Sequence, residues 1–446
     1  MCAYYSVICL LVVAKSVLSK EITVQTRYGP VQGFTHTVNT TTARIFLGIP
    51  FAKPPIDDLR LEKPVEPENW TQPINATDYA AACYPHTRLA MFNNGLFSED
   101  CLYLNIMAPI EPGENNASYA VMVWIHGGGY EGGSAASYDY KKIVENFIAR
   151  DVIVVTIQYR LGFLGFFSTG TEALPGNLGL WDQTAALKFV NENIANFNGD
   201  PKRITIFGLS AGGGSTSILT LSPKSQGLFA NSIQMSGSAF AEWSNSELVD
   251  DASLELAKEV GCLVDDLATV KPCLKNKTID ELLDAANRTG STRKSIKFIK
   301  YGPRLDNDFL PEDLETLVTN ASKKPTIIGV AENEGITFED YKNYSRSDLV
   351  NFIKNEVAVQ ADLRDQAEKV QSMIISFYAN SSDETDKSYV DWLKNYTQLL
   401  GDIIFVVPAR LEAELKIQAG WPVWLYISDY YNPASCNESM PVKGFF

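Results

Sequence analysis

Short apolar runs alternate with amphipathic stretches along most of the chain. Several runs are apolar throughout, which is typical of strands covered on both faces of a sheet. The runs predicted to be strands span residues 22–26, 31–34, 120–125, 152–157, 203–207, 231–235, 326–330 and 423–427. Between two of them, residues 180–197 carry apolar side chains near helical spacing and predict a helix. Alternating strands and helices predict an α/β fold with a central, mostly parallel, twisted sheet and helices on both faces.

Two further stretches add detail to this prediction. The first two strand-like runs flank Tyr28, Gly29 and Pro30, which predicts an opening hairpin. Residues 244–293 are polar and helix-prone and indicate an inserted cap rather than a separate domain. Neither a repeat nor a low-complexity tract interrupts the sequence, so residues 20–446 are predicted to form one domain.

The first residues have the pattern of a secretory signal peptide. Residues 4–14 form one apolar run that is too short to span a bilayer, and Val17 and Ser19 suit cleavage before Lys20. A buried first strand is the alternative. No later run reaches the ~18 uninterrupted apolar residues of a membrane helix. We therefore expect residues 1–19 to be a signal peptide and the mature chain to be secreted, without an integral membrane segment.

Cysteine and asparagine usage agrees with secretion. The cysteines outside the predicted signal allow two local pairs, Cys83 with Cys101 and Cys262 with Cys273, and leave Cys436 over. A zinc site is the weaker alternative at these positions. Sequons of the form Asn-x-Ser/Thr recur, which predicts several glycans on surface loops. They begin at Asn39, Asn69, Asn75, Asn116, Asn276, Asn287, Asn320, Asn343, Asn380, Asn395 and Asn437.

Charge and composition narrow the possible partners. The chain has 38 basic and 53 acidic side chains and a net charge of −15, so it repels phosphate backbones and nucleic acid is not an expected partner. With 45% hydrophobic residues the chain can bury a large core, which argues against intrinsic disorder. Histidine is scarce, because only His36, His86 and His126 occur in 446 residues.

The segment from Gly208 to Gly212 matches the pattern G-x-S-x-G, with Ser210 at its centre. It lies between a predicted buried strand and a stretch that can open a helix, which is the context of a nucleophile elbow. The tight turn strains the serine backbone and lifts its Oγ out of the sheet. The alternative is a glycine-rich turn in which the serine has no chemical role.

The strand predicted at 120–125 is followed by His126 and three glycines. Successive glycine N–H groups can converge on one developing negative oxygen, as in an H-G-G-G oxyanion hole. Gly128, Gly129 and the Ala211 N–H are the candidate donors. We expect His126 to hold the glycine loop rather than to act as a base, because it lies on the oxyanion side of the serine.

These motifs and the segments around them resemble the type-B carboxylesterase family, which includes the cholinesterases. The resemblance implies an α/β-hydrolase fold and ester hydrolysis through an acyl-serine intermediate, with a small carboxylic ester as substrate and no metal or organic cofactor. The matching segments, from FLGIPFAKPP through SEDCLYLN and QYRLGFLGFFS to QMSGS, span residues 46–55, 98–105, 158–168, 176–190, 197–213 and 234–238.

The same resemblance implies roles for individual residues. Ser210 would be the nucleophile, with Gly128, Gly129 and Ala211 as oxyanion donors and Ser236 behind the catalytic triad. The implied disulfides are Cys83–Cys101 and Cys262–Cys273, and Arg44 is expected to pair with Glu99.

The acid of the triad also has a match. The strand predicted at 326–330 leads to Glu334 directly before a glycine, and the resemblance assigns this residue the task of orienting the histidine. Glu332 and Glu339 are competitors, but neither precedes a glycine. An exposed acidic turn is the alternative.

The histidine of the triad has no candidate. In this fold the order is Ser, then Asp or Glu, then His, and no histidine follows His126. In the family a proline–glycine segment directly precedes the histidine, and Pro441 to Gly444 resembles that segment shortly before the last residue, Phe446. We expect a truncated esterase that is nearly inactive, because loss of the histidine costs on the order of 10⁶ in turnover. A catalytically silent adhesion or binding protein of the same fold is the alternative.

The substrate can be narrowed slightly. The loop at 84–100 has no tryptophan and Leu209 precedes the serine, whereas cholinesterases have a tryptophan and a glutamate there to attract a cation. Neutral carboxylic esters are therefore expected rather than choline esters. The sequence does not predict the oligomeric state.

Overall fold

The computed structural model describes residues 20–87, 96–262, 266–290, 296–335, 344–380 and 388–430. The predicted signal peptide, Cys436, Glu339 and the proline–glycine segment at 441–444 lie outside these residues, as do the sequons at Asn343 and Asn437.

Strands recur from the start of the described chain to its end. They are β1 (Glu21–Gln25), β2 (Pro30–Val38), β3 (Thr41–Pro50), β4 (Ile74–Asn75), β5 (Ala82–Cys83), β6 (Phe97–Ser98), β7 (Tyr103–Pro109), β8 (Tyr119–Ile125), β9 (Val152–Ile157), β10 (Gly199–Leu209), β11 (Asn231–Met235), β12 (Thr326–Ala331) and β13 (Val423–Ser428).

Helices fill most of the connections after β8, and α7 begins with a capping box in which Thr278 and Glu281 satisfy each other's backbone N–H groups. They are α1 (Tyr140–Asn146), α2 (Gly162–Phe166), α3 (Leu178–Asn193), α4 (Ala211–Leu221), α5 (Leu248–Glu259), α6 (Val270–Lys275), α7 (Ile279–Arg288), α8 (Leu314–Asn320), α9 (Arg346–Phe352), α10 (Gln360–Leu363), α11 (Ala367–Tyr378), α12 (Tyr389–Gly401) and α13 (Val407–Gln418).

One large sheet organises the molecule, in the order β1-β2-β3-β7-β9-β8-β10-β11-β12-β13, with β4 paired to β2. The strands from β1 to β9 in this order pair antiparallel, and the six from β9 to β13 pair parallel. The predicted α/β fold with a mostly parallel sheet is therefore confirmed. The predicted opening hairpin is β1 and β2, closed by a bond from the Thr26 N–H to the Gly29 carbonyl.

Apolar side chains cover both faces of the sheet. Successive side chains of β3 point to opposite faces of the sheet. Ile45 packs with α1 residues such as Ile143, whereas Phe46 belongs to the larger cluster that includes residues of α3 and α4. The connection from β8 leads to β9 on one side, and the connection from β10 leads to β11 on the other. The carboxyl ends of β8 and β10 thus form the switch point where open α/β sheets bind ligands.

The predicted ion pair between Arg44 and Glu99 is wrong. Arg44 lies opposite Ala108 near the end of β7, whereas Glu99 precedes the start of that strand, so the two side chains lie at opposite ends. Arg44 instead donates to the backbone carbonyl of Phe197 at 2.7 Å. Glu99 pairs with Arg60, with 2.5 Å between Nη2 and Oε1.

Candidate functional site

Ser210 sits at the turn between β10 and α4 in a strained backbone conformation. Its φ of 57° and ψ of −122° lie in a region that L-residues rarely adopt. The conformation is fixed on both sides, because the Ser210 N–H donates to the Met235 carbonyl at 2.8 Å and the Ser210 carbonyl accepts from the Gly214 N–H at 2.9 Å. Ser210 is partly exposed, and its Oγ makes no hydrogen bond to another described residue.

The glycines of the G-x-S-x-G segment are required by close backbone contacts. A Cβ on Gly208 would lie 2.4 Å from the Gly212 carbonyl carbon, and a Cβ on Gly212 would lie 2.0 Å from the Ile125 carbonyl oxygen. The end of β8 therefore packs directly against the start of α4. This contact brings the loop after β8 next to the serine.

The glycine loop after β8 lies against the serine turn. A Cβ on Gly127 would lie 3.3 Å from the Ser210 Cβ. Gly128 and Gly129 follow with φ values of 119° and 63°, which favour glycine. Among the described residues, the N–H groups of these two glycines have no hydrogen-bond acceptor, and Ala211, as the first residue of α4, has no acceptor within its helix. The predicted donors are thus brought to the same end of the sheet as Ser210.

His126 is buried behind this loop, with 1% of its surface exposed. Its Nδ1 donates to the Gly127 carbonyl at 2.9 Å, and its ring stacks on Tyr159 with 4.4 Å between the centres. The Tyr159 hydroxyl donates to the His126 carbonyl at 2.8 Å. Burial lowers the pKa of His126 to about 4, so the ring is neutral at pH 7. These contacts fit the expectation that His126 holds the loop.

Glu334 follows the carboxyl end of β12, at the same end of the parallel strands as Ser210. Its Oε1 accepts from the Ala331 N–H at 2.7 Å, and the Ser236 side chain lies close enough to stabilise the ionised carboxylate. Burial raises the pKa of Glu334, and the Ala331 N–H and the Ser236 side chain oppose that rise. Ser236 itself has a positive φ of 50°, held by a bond from its N–H to the Gly329 carbonyl at 2.8 Å. Glu332, the competitor of Glu334 for the role of triad acid, is exposed.

None of the three histidines bonds to Ser210 or Glu334 within the described structure. His36 lies on β2, edge-on to Tyr140 with 5.3 Å between ring centres. His86 is buried beside Glu131, with 3.6 Å between Nε2 and Oε2. The triad histidine therefore has no substitute among these side chains.

Sequence reasoning missed Glu131. Its Oε1 accepts from the backbone N–H groups of Lys300 and Tyr301 at 2.8 and 3.1 Å, so it ties the glycine loop to that segment. An acidic residue inside a glycine-rich loop, two residues after Gly129 and directly before two more glycines, is the signal that could have indicated it.

Both expected disulfides, Cys83 with Cys101 and Cys262 with Cys273, are present. In the part of the chain that the structure describes, no group of three or more His, Cys, Asp or Glu side chains is arranged to hold a metal ion. No helix in that part is long and apolar enough to span a membrane.

Comparisons with known proteins show which family and which relatives this chain resembles. The model of the carboxylesterase family matches residues 20–444. The gut esterase 1 of Caenorhabditis briggsae is 39% identical over 437 residues, which cover 94% of this chain and 75% of that protein. The gut esterase 1 of Caenorhabditis elegans is 37% identical over 94% of this chain and 76% of its own length. Carboxylesterase 1F of Mus musculus is 35% identical over 90% of this chain and 73% of its own length.

Proposed function

This chain belongs to the carboxylesterase family and has its α/β-hydrolase fold, and from that membership we propose that it is built to hydrolyse carboxylic esters through an acyl intermediate on Ser210. The observation that carries the proposal is the strained backbone of Ser210, with a φ of 57°, at the turn between β10 and α4. Strain of this kind persists only where the surrounding structure holds it, and it clusters at reactive groups.

The proposed reaction has two steps. Ser210 Oγ attacks the ester carbonyl carbon, a base takes the hydroxyl proton, and the alcohol leaves with that proton. The oxygen that becomes negative receives hydrogen bonds from the N–H groups of Gly128, Gly129 and Ala211. Water then attacks the acyl-serine and releases the acid. No metal or organic cofactor takes part in this scheme.

The proposed reaction needs a base, and none of the histidines in these 446 residues is placed to supply it. Glu334 would orient a histidine and stabilise its cation, but His36, His86 and His126 are engaged elsewhere. A serine at its ordinary pKa is a weak nucleophile without a base. We therefore propose that this chain alone turns over esters only weakly.

Added imidazole tests the proposal. Under this proposal imidazole bound beside Ser210 takes its proton and is oriented by Glu334, so hydrolysis of p-nitrophenyl butyrate by the chain should rise with imidazole concentration. Imidazole also cleaves this ester by itself, so Ser210→Ala under the same conditions supplies the background. A rise of at least about tenfold over that background is expected, since a positioned base contributes about 10²–10⁴-fold.

The second candidate is a catalytically silent binding protein of the same fold. It is favoured by the position of the three histidines, none of which serves Ser210 within the described structure. Imidazole-dependent hydrolysis that disappears in Ser210→Ala would exclude it. If the chain and Ser210→Ala hydrolyse the ester equally at every imidazole concentration, the esterase proposal fails.

We further propose that the protein is secreted and glycosylated, and that it prefers neutral esters. Residues 1–19 and the recurring sequons support export, and Leu209 beside Ser210 offers no charge to a choline ester. A secreted form that begins at Lys20 and loses mass on treatment with an N-glycosidase is expected. An intracellular form with intact residues 1–19 would contradict export.

A further inference from the structure

A fully buried ion pair lies behind α4. Glu412 and Lys416, one turn apart on α13, have no exposed side-chain surface, and 2.6 Å separates Lys416 Nζ from Glu412 Oε1. Removing two charges from water costs several kcal/mol per ion, and apolar residues of similar volume often stabilise a protein as well or better. The stability of α13 alone therefore does not explain this pair.

The Glu412 carboxylate holds both ends of a short segment. Oε1 accepts from Gln234 Nε2 at 3.0 Å, and Oε2 accepts from Ser238 Oγ at 2.5 Å. The residues between these two anchors are 235–237, where β11 ends and the following loop begins. One carboxylate thus fixes the segment on each side.

Each residue between the anchors contacts the candidate site. The Met235 carbonyl accepts from the Ser210 N–H at 2.8 Å. The Ser236 side chain lies close enough to Glu334 to stabilise its ionised carboxylate. Gly237 packs so closely that a Cβ on it would lie 2.3 Å from the Ser210 carbonyl oxygen. A shift of this segment would therefore move the serine and the acid relative to each other.

The same carboxylate also holds α4. Glu412 Oε1 accepts from Ser217 Oγ at 2.7 Å, and that hydroxyl accepts from the Ala239 N–H at 3.0 Å. Lys416 Nζ donates to Thr220 Oγ1 at 3.0 Å, one turn further along α4. The ion pair therefore joins α13 to the helix that begins directly after Ser210.

We propose that Glu412 is a positioning residue for the site formed by Ser210 and Glu334. Its carboxylate fixes residues 234–238 and α4 in one arrangement, and Lys416 neutralises its charge in the buried environment. This inference rests on the proposed esterase function, because positioning matters for turnover only if Ser210 is the nucleophile.

Three variants test the inference by imidazole-supported hydrolysis. Glu412→Ala removes every bond of the carboxylate, and Glu412→Gln keeps the shape and one acceptor oxygen. Asp182→Asn is the matched control, because Asp182 is equally buried and its carboxylate bonds to Arg160 within the described structure. Each variant is measured over a range of ester concentrations, at a temperature where circular dichroism shows it folded.

Glu412→Ala should lower kcat about tenfold or more and leave KM within about twofold, since small misplacements near reacting groups cost up to about 10²-fold. Glu412→Gln should recover most of this loss, and Asp182→Asn should keep the parent kcat. Equal kcat in Glu412→Ala and Asp182→Asn would overturn the inference, as would a rise in KM alone.

Hydrogen exchange gives a second measurement that does not depend on turnover. The N–H groups of Ser210 and Ser236, bonded to Met235 and Gly329, should exchange faster in Glu412→Ala but not in Asp182→Asn. If Glu412→Ala does not fold, Ser238→Ala takes its place, because it removes the bond from Ser238 Oγ to Glu412 Oε2. If the parent chain shows no hydrolysis that depends on Ser210, only the proposed esterase function fails. The exchange rates then decide by themselves whether Glu412 positions residues 234–238. Unchanged exchange would overturn the inference.

Discussion

The glycine loop packs tightly against the serine turn at Gly127. A Cβ on Gly127 would lie 2.5 Å from the backbone oxygen of Leu209, which cannot rotate away. Gly127→Ala should therefore push the loop away from Ser210. Overpacking of this kind costs about 1–3 kcal/mol, and each oxyanion donor that is displaced lowers turnover by about 10²–10³-fold. Chemical unfolding and imidazole-supported hydrolysis measure the two effects.

Gly132 in the same loop provides the matched control. The atom nearest to a Cβ on Gly132 is the Gly128 carbonyl oxygen at 3.9 Å, an ordinary contact distance. Gly132→Ala should change the free energy of unfolding by less than about 0.5 kcal/mol and leave turnover intact. Equal losses in both variants would show that the contact at Gly127 is not the cause.

The buried histidine of this loop makes stability depend on pH. Burial lowers the pKa of His126 from 6.5 to about 4, so below the unfolded value the unfolded chain binds a proton that the folded chain does not. Stability is therefore lost as the pH falls from about 6.5 towards about 4. Between about pH 7 and about pH 5 the expected loss from His126 is about 2 kcal/mol.

Urea unfolding of the parent chain and of His126→Gln at these two pH values isolates this contribution. The glutamine amide can donate to the Gly127 carbonyl as Nδ1 does, but it does not titrate. Other groups titrate in both proteins, so the difference between the two pH dependences belongs to His126. Identical pH dependences would mean that His126 is not protonated preferentially in the unfolded chain.

Among the elements of the predicted cap, α5 and α6 are joined by the Cys262–Cys273 disulfide. The two cysteines are 11 residues apart, and closing a loop of roughly a dozen residues is worth about 3 kcal/mol in the chain-entropy account. The double substitution Cys262→Ala/Cys273→Ala should lower the free energy of unfolding by about that amount. The Cys83–Cys101 pair closes a longer loop of 18 residues, so its double substitution should cost slightly more. A cap disulfide whose removal is neutral would contradict this account.

Sequence pattern predicted the central strands, the serine turn and the opening hairpin, but it missed β3 and β7 at the antiparallel side of the sheet. β9 and β11 match the predicted runs residue for residue, because buried parallel strands are apolar at consecutive positions. β3 and β7 were not predicted; both end in proline, and β3 also contains Gly48 near its end. The partners of β7 are β3 and β9, which are distant in the chain, so a local pattern does not contain this pairing.

Within the candidate site, the residues that depend on local turn chemistry were predictable and those that depend on distant packing were not. Ser210 and Gly128 follow strand ends and carry a recognisable motif. Glu412 lies in α13, and its partners Ser217 and Ser238 are 195 and 174 residues away in the chain. No spacing in the sequence connects them, and only the folded sheet brings them together.

At the scale of the whole molecule, the two faces of the sheet are covered unequally. Strand register places Trp124, Phe207, Ile233, Ile327 and Trp424 side by side on one face. Along this row the exposed fraction rises from 8% at Trp124 to 38% at Ile327 and 56% at Trp424. Large exposed apolar side chains on a strand at the edge of the sheet promote association between molecules.

This difference in exposure predicts that two substitutions in neighbouring strands change the free energy of unfolding by very different amounts. Trp424→Thr removes a side chain that is already more than half exposed, so it should change the free energy of unfolding by less than about 0.5 kcal/mol. It should also reduce light scattering at high protein concentration, because the edge presents less apolar surface. Ile328 in β12 points to the other face and is 1% exposed, so Ile328→Thr should cost about 2 kcal/mol or more through lost packing and a buried hydroxyl. Equal destabilisation by the two substitutions would show that the face around Trp424 is covered in solution.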